Sequence, residues 1–326
     1  MSSFLFALNA VMPIVITVAV GYFLKRIGLI NEDLARGANK LVFKVFLPCL
    51  LFLNVYKIDN LSAVGYGFII YAVIAVLLIF AIALPLVMAL TKDNPRRGSL
   101  LQGTFRSNYA LIGIPLAISI YGDMGGAVAS LLSAVSIPLF NMLAVISLSL
   151  FSDGKKPSFK KIGLGILKNP LIIGVALGCF TLLIRHFFVG WGVEWRLSEI
   201  APIYKALTYL SNAATPVALV MLGAQFEFSA IPGMKKEIIF GVAARILVVP
   251  LITVSIACLI PSFNGAHIAA LFALFATPVA VSSVPMAQES GADAKLAGQL
   301  VVWTTFLSAF TLFGFIFVLR LLGVLV

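Results

Sequence analysis

The chain has 326 residues, 61% of them hydrophobic and only 11% charged, with a mean hydropathy of +1.11. Soluble domains carry roughly 25% charged residues, so this composition cannot cover a water-facing surface; it excludes a soluble enzyme or a nucleic-acid binder. The net charge of +11 lies mostly in short loops between apolar runs, where it reads as an orientation signal and not as a ligand patch.

Apolar runs fall at about 4–24, 34–56, 64–91, 99–121, 125–151, 164–189, 200–228, 237–261, 266–288 and 296–324. At roughly 20 residues per crossing, these predict ten transmembrane helices. Met1, Ser2 and Ser3 carry no basic side chain while Lys25 and Arg26 follow the first run, so this run reads as a retained span and not a signal peptide. Scored by alternate loops, one side collects Lys25, Arg26, Arg36, Lys92, Arg96, Arg97, Lys155, Lys156, Lys160, Lys161, Lys168, Lys235, Lys236 and Lys295. The other side has Lys57, Arg185, Arg196 and Arg320. The richer side is expected to be cytoplasmic, with both termini facing outward. Cys49, Cys179 and Cys258 lie singly inside apolar runs and read as packing residues.

The chain repeats itself. PIVITVAVGYF from Pro13 aligns with PLIIGVALGCF from Pro170, placing Gly21 on Gly178 at an offset of 157. LPCLLFLNVYKID from Leu47 aligns with TPVALVMLGAQFE from Thr215 at an offset of 168, and Asn108 to Pro115 matches Pro278 to Pro285 at an offset of 170. Residues 1–151 then form one five-helix repeat and 164–326 a second, joined by a cytoplasmic linker at 152–163 that includes SDGKKPSFKK. An odd number of spans per copy inverts the second copy, a transporter architecture whose site lies at paired broken helices near the midplane.

The breaks are visible. In the fourth run Asn108, Gly113 and Pro115 interrupt a helical pattern, predicting unwinding near Ile112 to Pro115; in the ninth, Pro278 and Pro285 bracket Ser282 and Ser283. Freed backbone groups at such depth are tolerated beside protein or a watery cavity. The exposed amino end of a half-helix and the Asn108 amide can hold a carboxylate without a basic side chain. Arg106 and Arg245 lie on the order of 12 Å into their spans. Glu227 and Glu289 sit in the same half. Four charges of two signs at one depth suggest an ion-pair network, and attraction of an anionic substrate to Arg106 or Arg245 is the other reading. Lys40 and Lys44, four apart, read as a stripe reaching the cytoplasmic interface.

NYALIGIPL followed by Tyr121 and Gly122, with ANKLVFKVFLPCLLF, LSNAATPVALVMLG, ATPVAVSS and AQESGAD, resembles the auxin efflux carrier family, the plant PIN-type carriers and their bacterial relatives. The resemblance spans the chain except for the long central loop of the plant carriers. It implies a scaffold of spans 1, 2, 6 and 7, a transport unit of spans 3–5 and 8–10, and a substrate pocket where broken helices 4 and 9 cross. It places Asn108 and Pro115 on the crossover asparagine and proline and Asn141 on a polar pocket position, and it leaves open which of Pro278 and Pro285 marks the crossover. The implied substrates are organic anions: indole-3-acetate in plants, small carboxylates such as malonate or malate in bacteria.

The expected protein is therefore an all-α membrane protein, a secondary transporter of a small organic anion working by alternating access. Its candidate substrate residues are Asn108, Tyr109, Ile112, Gly113, Pro115, Asn141, Pro278, Val279, Ser282, Ser283 and Pro285, with Arg106, Arg245, Glu227 and Glu289 as a charge network. The expected partners are the anion and membrane lipids, with a homodimer left open and no nucleic acid. His186 and His267 stand apart near the outer face and no HExxH occurs, so no catalysis, cofactor or metal is expected. A sodium-coupled symporter of bile-acid type, for which Glu289 is the one plausible buried carboxylate, and a channel or sensor are the alternatives.

Overall fold

The computed structural model describes residues 2–57, 66–151, 168–190 and 196–325. The expected linker at 152–163 lies outside them. Among the described residues the regular structure is helical except for one isolated β-bridge. In chain order the α-helices are α1 (Ser2–Arg26), α2 (Glu32–Leu41), α3 (Leu47–Tyr56), α4 (Tyr66–Leu90), α5 (Asn94–Phe105), α6 (Ile114–Leu150) and α7 (Pro170–Gly190). They continue as α8 (Ala201–Gln225), α9 (Lys235–Ala243), α10 (Val249–Cys258), α11 (Gly265–Ala276), α12 (Ser283–Glu289) and α13 (Ala294–Leu321).

Five of the described helical stretches, 67–90, 114–150, 201–225, 232–258 and 294–321, are long and apolar enough to cross a membrane. On α4 the residues Ile70, Ile74, Leu78, Ile82 and Leu86 recur every four positions and are all about half exposed or more. This face suits lipid contact, since hydrocarbon does not penalise it. Asn31, Asp93, Asn264 and Asp293 begin α2, α5, α11 and α13, each accepting a bond from a backbone N–H three residues on.

Among the described residues three π-turns interrupt the helices, at Val42–Phe46, Tyr109–Gly113 and Ala244–Val248. Each is followed two residues later by a proline, Pro48, Pro115 or Pro250. A proline in a helix donates no bond to the carbonyl four residues back and crowds it; a wider turn immediately before it relieves both problems. The long α6 holds a sharp bend at Tyr121 and Gly122, where Gly122 has φ +61°, so the fourth and fifth apolar runs turn there with no separate loop.

Two close helix contacts have the same form. A Cβ on Gly21 of α1 would collide with the carbonyl oxygen of Val220 in α8. A Cβ on Gly178 of α7 would stand 2.7 Å from Cβ of Val55 and 3.1 Å from the Phe52 carbonyl oxygen in α3. The core of the molecule is α11, whose residues Ala266 to Ala276 apart from His267 are all buried. Such a helix, apolar on every face, is enclosed by protein. With 12 residues it rises only about 18 Å, so it ends inside the protein.

Candidate substrate site

Two helical paths break opposite each other. α5 ends at Phe105, and Arg106 to Asn108 are non-helical before the π-turn that leads into α6. α11 ends at Ala276 and α12 begins at Ser283. The two extended segments meet as the antiparallel bridge Ser107–Val279, in which Asn108 N–H donates to the Pro278 carbonyl at 2.8 Å and Ala280 N–H to the Arg106 carbonyl at 3.4 Å. Val279 N–H donates to Thr304 Oγ1 at 3.1 Å. Pro278, and not Pro285, thus stands at the crossing; Pro285 is buried within α12.

Each break leaves one carboxyl-ended and one amino-ended half-helix, carrying partial charges of opposite sign. The carboxyl ends are served by Arg245, which is fully buried. Its Nε donates to the Thr277 carbonyl at 2.9 Å, Nη2 to the Leu274 carbonyl at 2.9 Å and Nη1 to the Phe105 carbonyl at 3.1 Å. One guanidinium thereby holds the ends of both α5 and α11. The pairing expected between Arg245 and a carboxylate is not what the structure contains: orphan helix carbonyls supply the negative partner, and the planar fork matches three of them. Glu227 instead accepts from Lys295 Nζ at 2.9 Å. Glu289 is half-buried and makes no ion pair among the described residues.

The other side of the crossing opens on a cavity of about 70 Å³, several times the roughly 10–15 Å³ that one water requires. Of the expected residues, Arg106, Asn108, Tyr109, Asn141 and Ser282 line it. The Arg106 guanidinium is buried and donates from Nη2 to Asn141 Oδ1 and Ser282 Oγ, both at 2.7 Å. From Nη1 it donates to Met286 Sδ and, at 3.5 Å, to Gln102 Oε1. All these acceptors are neutral, so the charge of Arg106 has no carboxylate against it among the described residues. Asn108 Nδ2 and Ser107 Oγ are buried without a partner. A buried donor without an acceptor costs about 1–3 kcal/mol, which an anion in the cavity would recover.

The remaining expected residues shape the crossing without lining the cavity. Gly113 lets the π-turn pack against Tyr109 and the Ala273 carbonyl, where a Cβ would collide. Ile112 is buried, Pro115 is exposed at the start of α6, and the Ser283 carbonyl accepts from Gln102 Nε2 at 3.2 Å. Sequence reasoning missed the opposite wall, Leu47, Leu50, Leu51, Leu171, Thr215 and Ala218. A signal was present: Leu47 and Thr215, and Leu50 and Ala218, are equivalent pairs at the repeat offset of 168.

Residues 6–316 match the membrane transport protein family. The chain is 23% identical over 311 residues to an "Uncharacterized transporter" of Methanothermobacter thermautotrophicus, covering 95% of this chain and 97% of the relative. It is 26% identical over 322 residues to one of Methanocaldococcus jannaschii, with 95% and 98% covered. It is also 21% identical over 314 residues, 95% of each chain, to a protein of Rhizobium meliloti named "Putative malonate transporter". With nearly the whole sequence matched, this multi-pass membrane protein belongs to the membrane transport protein family, that of the auxin efflux carriers, and is a transporter and not an enzyme.

Proposed function

We propose that the chain is a secondary carrier that moves a small organic anion across the plasma membrane by alternating access, with the crossover cavity as its substrate site. The observation that carries this reading is Arg106: a buried guanidinium on a cavity wall, bonded only to neutral groups. Keeping an unneutralised charge at this depth is costly unless something of opposite sign visits it. Asn108 Nδ2 adds a free donor, and the amino end of the helix that starts at Tyr109 adds a partial positive charge. The carboxyl-ended halves, which would repel an anion, are occupied by Arg245.

The cavity has two poles. Arg106, Asn108, Asn141 and Ser282 suit a carboxylate, while Leu47, Leu50, Leu51 and Ala218 suit an apolar body. Among the described residues the lining holds one cation, so one carboxylate is fixed by charge and any second must rely on amides and hydroxyls. Among the same residues it includes no carboxylate, which favours an anion over a coupling sodium at this position.

In this reading the chain crosses the membrane ten times as two inverted five-helix repeats, 1–151 and 164–326. The matched contacts of Gly21 on Val220 and Gly178 on Phe52 support it, because 21 and 178 differ by the first repeat offset and 52 and 220 by the second. Helices α1, α2–α3, α7 and α8 would be the scaffold against which the crossover helices move. The test is a thermal-shift and direct-binding screen of mono- and dicarboxylates, malonate included, on purified protein, because a ligand of the folded state raises its stability. Binding accompanied by counterflow in proteoliposomes supports a carrier; flux without saturation or counterflow would make it a channel.

A further inference from the structure

A cluster of three amides lies apart from the cavity. Asn39, on α2, is fully buried, and its Nδ2 donates to Gln225 Oε1 at the end of α8 and to Gln288 Oε1 on α12, both at 2.8 Å. Each amide is displaced from a cavity-lining residue of its own helical path. Asn39 precedes Leu47 by eight residues, Gln225 follows Ala218 by seven, and Gln288 follows Ser282 by six. At 1.5 Å per residue these are displacements of about 12, 10 and 9 Å. All three run toward the side that bears the basic loops, as the positions of Lys25 and Lys295 at the neighbouring helix ends show.

Beyond the amides, on that side, a second cavity of about 260 Å³ is lined by Gln225 and Gln288 together with Lys25, Arg36, Glu227 and Lys295. Across it, Lys295 Nζ donates to Glu227 Oε2 at 2.9 Å and Gln299 Nε2 to the Glu227 carbonyl at 2.8 Å. The amide cluster thus lies about 9–12 Å from the substrate cavity along its helices, with two of its three members in the wall of the second cavity. Its bonds, with those of Glu227, join α2 and α8 to α12 and α13, the pairs that the carrier reading assigns to scaffold and moving unit.

We propose that Asn39, Gln225 and Gln288 form the cytoplasmic gate of the transport path, closed in this structure between the substrate cavity and an inner vestibule. The inference rests on the carrier reading. Neutral amides suit the task. Parting them leaves no bare charge in apolar surroundings, and each can exchange its amide partner for vestibule water at small net cost. Asn39 Oδ1 is buried without a donor in the closed arrangement, so hydration on opening satisfies a group that closure leaves unpaired. The closed gate is therefore held, but not locked.

The test places a single cysteine in the cavity wall, Ala218→Cys, in a background lacking Cys49, Cys179 and Cys258. Its reaction with a membrane-impermeant maleimide is followed in inside-out vesicles and in intact cells. Adding Asn39→Ala, which removes both amide bonds, should raise the labelling rate from the cytoplasmic side by about tenfold, the effect of roughly 1.4 kcal/mol on the open–closed equilibrium. Labelling from outside should not rise. Gln225→Ala and Gln288→Ala each remove one bond and should show smaller increases, so the result does not depend on Asn39→Ala folding. An oxidised Asn39→Cys/Gln288→Cys pair should suppress cytoplasmic labelling until reduced. A cytoplasmic rate unchanged in all three alanine variants would overturn the gate. That readout needs no substrate, so failure of the gate stays distinguishable from failure of the carrier reading, which would show as no carboxylate binding at all.

Discussion

The backbone N–H of Asn108 donates to the carbonyl of Pro278 at 2.8 Å, and the two residues are 170 positions apart, the offset that aligns the fourth apolar run with the ninth. In an inverted repeat, a residue bonded to its own equivalent lies beside the twofold axis. The antiparallel bridge runs on from that pair in one direction, with Ser107 facing Val279 and the Ala280 N–H donating to the Arg106 carbonyl. Asn108 is therefore placed by its backbone, leaving its side chain free to face the cavity.

Because Asn108 Nδ2 is buried with no partner among the described residues, Asn108→Ala should cost little stability while weakening anion binding by about 1–3 kcal/mol, the worth of a hydrogen bond to a charged group. That is roughly 5- to 150-fold in dissociation constant. Calorimetry on monodisperse protein checks it; an unchanged constant would remove Asn108 from the site.

Arg245 should behave in the opposite way. Arg245→Gln leaves the Phe105, Leu274 and Thr277 carbonyls short of a donor and should lower stability by about 2–4 kcal/mol, read as a fall in the unfolding temperature. Since Arg245 bonds carbonyls, Glu289→Gln should add independently to it. A strong non-additive coupling in the double mutant would show an Arg245–Glu289 interaction instead.

Much of this was legible in the sequence, for physical reasons. Apolar runs, Pro and Gly punctuation and repeat offsets report backbone demands, so Asn108 and Gly113 could be placed at a crossing before any geometry was known, with Pro278 and Pro285 as equal candidates opposite them. The partners of charged groups could not. By sequence position Arg106, Arg245, Glu227 and Glu289 fall in the same half of the membrane, and depth alone would have paired them. The deciding partners are carbonyls exposed by helix breaks, which carry no sequence signature of their own. The apolar wall from Leu47 to Ala218 was hidden for another reason: leucines and alanines lining a cavity look like those packing a core.

The matched glycines give a test of packing. Gly21→Val and Gly178→Val should each destabilise by about 1–3 kcal/mol through overpacking against α8 and α3. Thermal unfolding in detergent measures both, and tolerance at either position would show that its helices can part.

Orientation is tested by single cysteines. One at Asn264 or Ser2 should label from outside the cell and one at Ser158, which lies beyond the described residues, from the cytoplasm alone. External labelling at Ser158 would break the inverted-repeat reading.

The central claim is that the Arg106 charge holds an organic anion in the crossover cavity, and the most direct measurement is the affinity of Arg106→Gln for the best carboxylate of the panel. A charge-assisted bidentate contact is worth about 1.5–3 kcal/mol or more. The dissociation constant should therefore rise by roughly 10- to 150-fold. The variant should fold as well as the parent, because a buried charge has been removed and Asn141 and Ser282 can pair with the new amide. An affinity for the carboxylate that is unchanged in folded, size-selected Arg106→Gln would contradict the account.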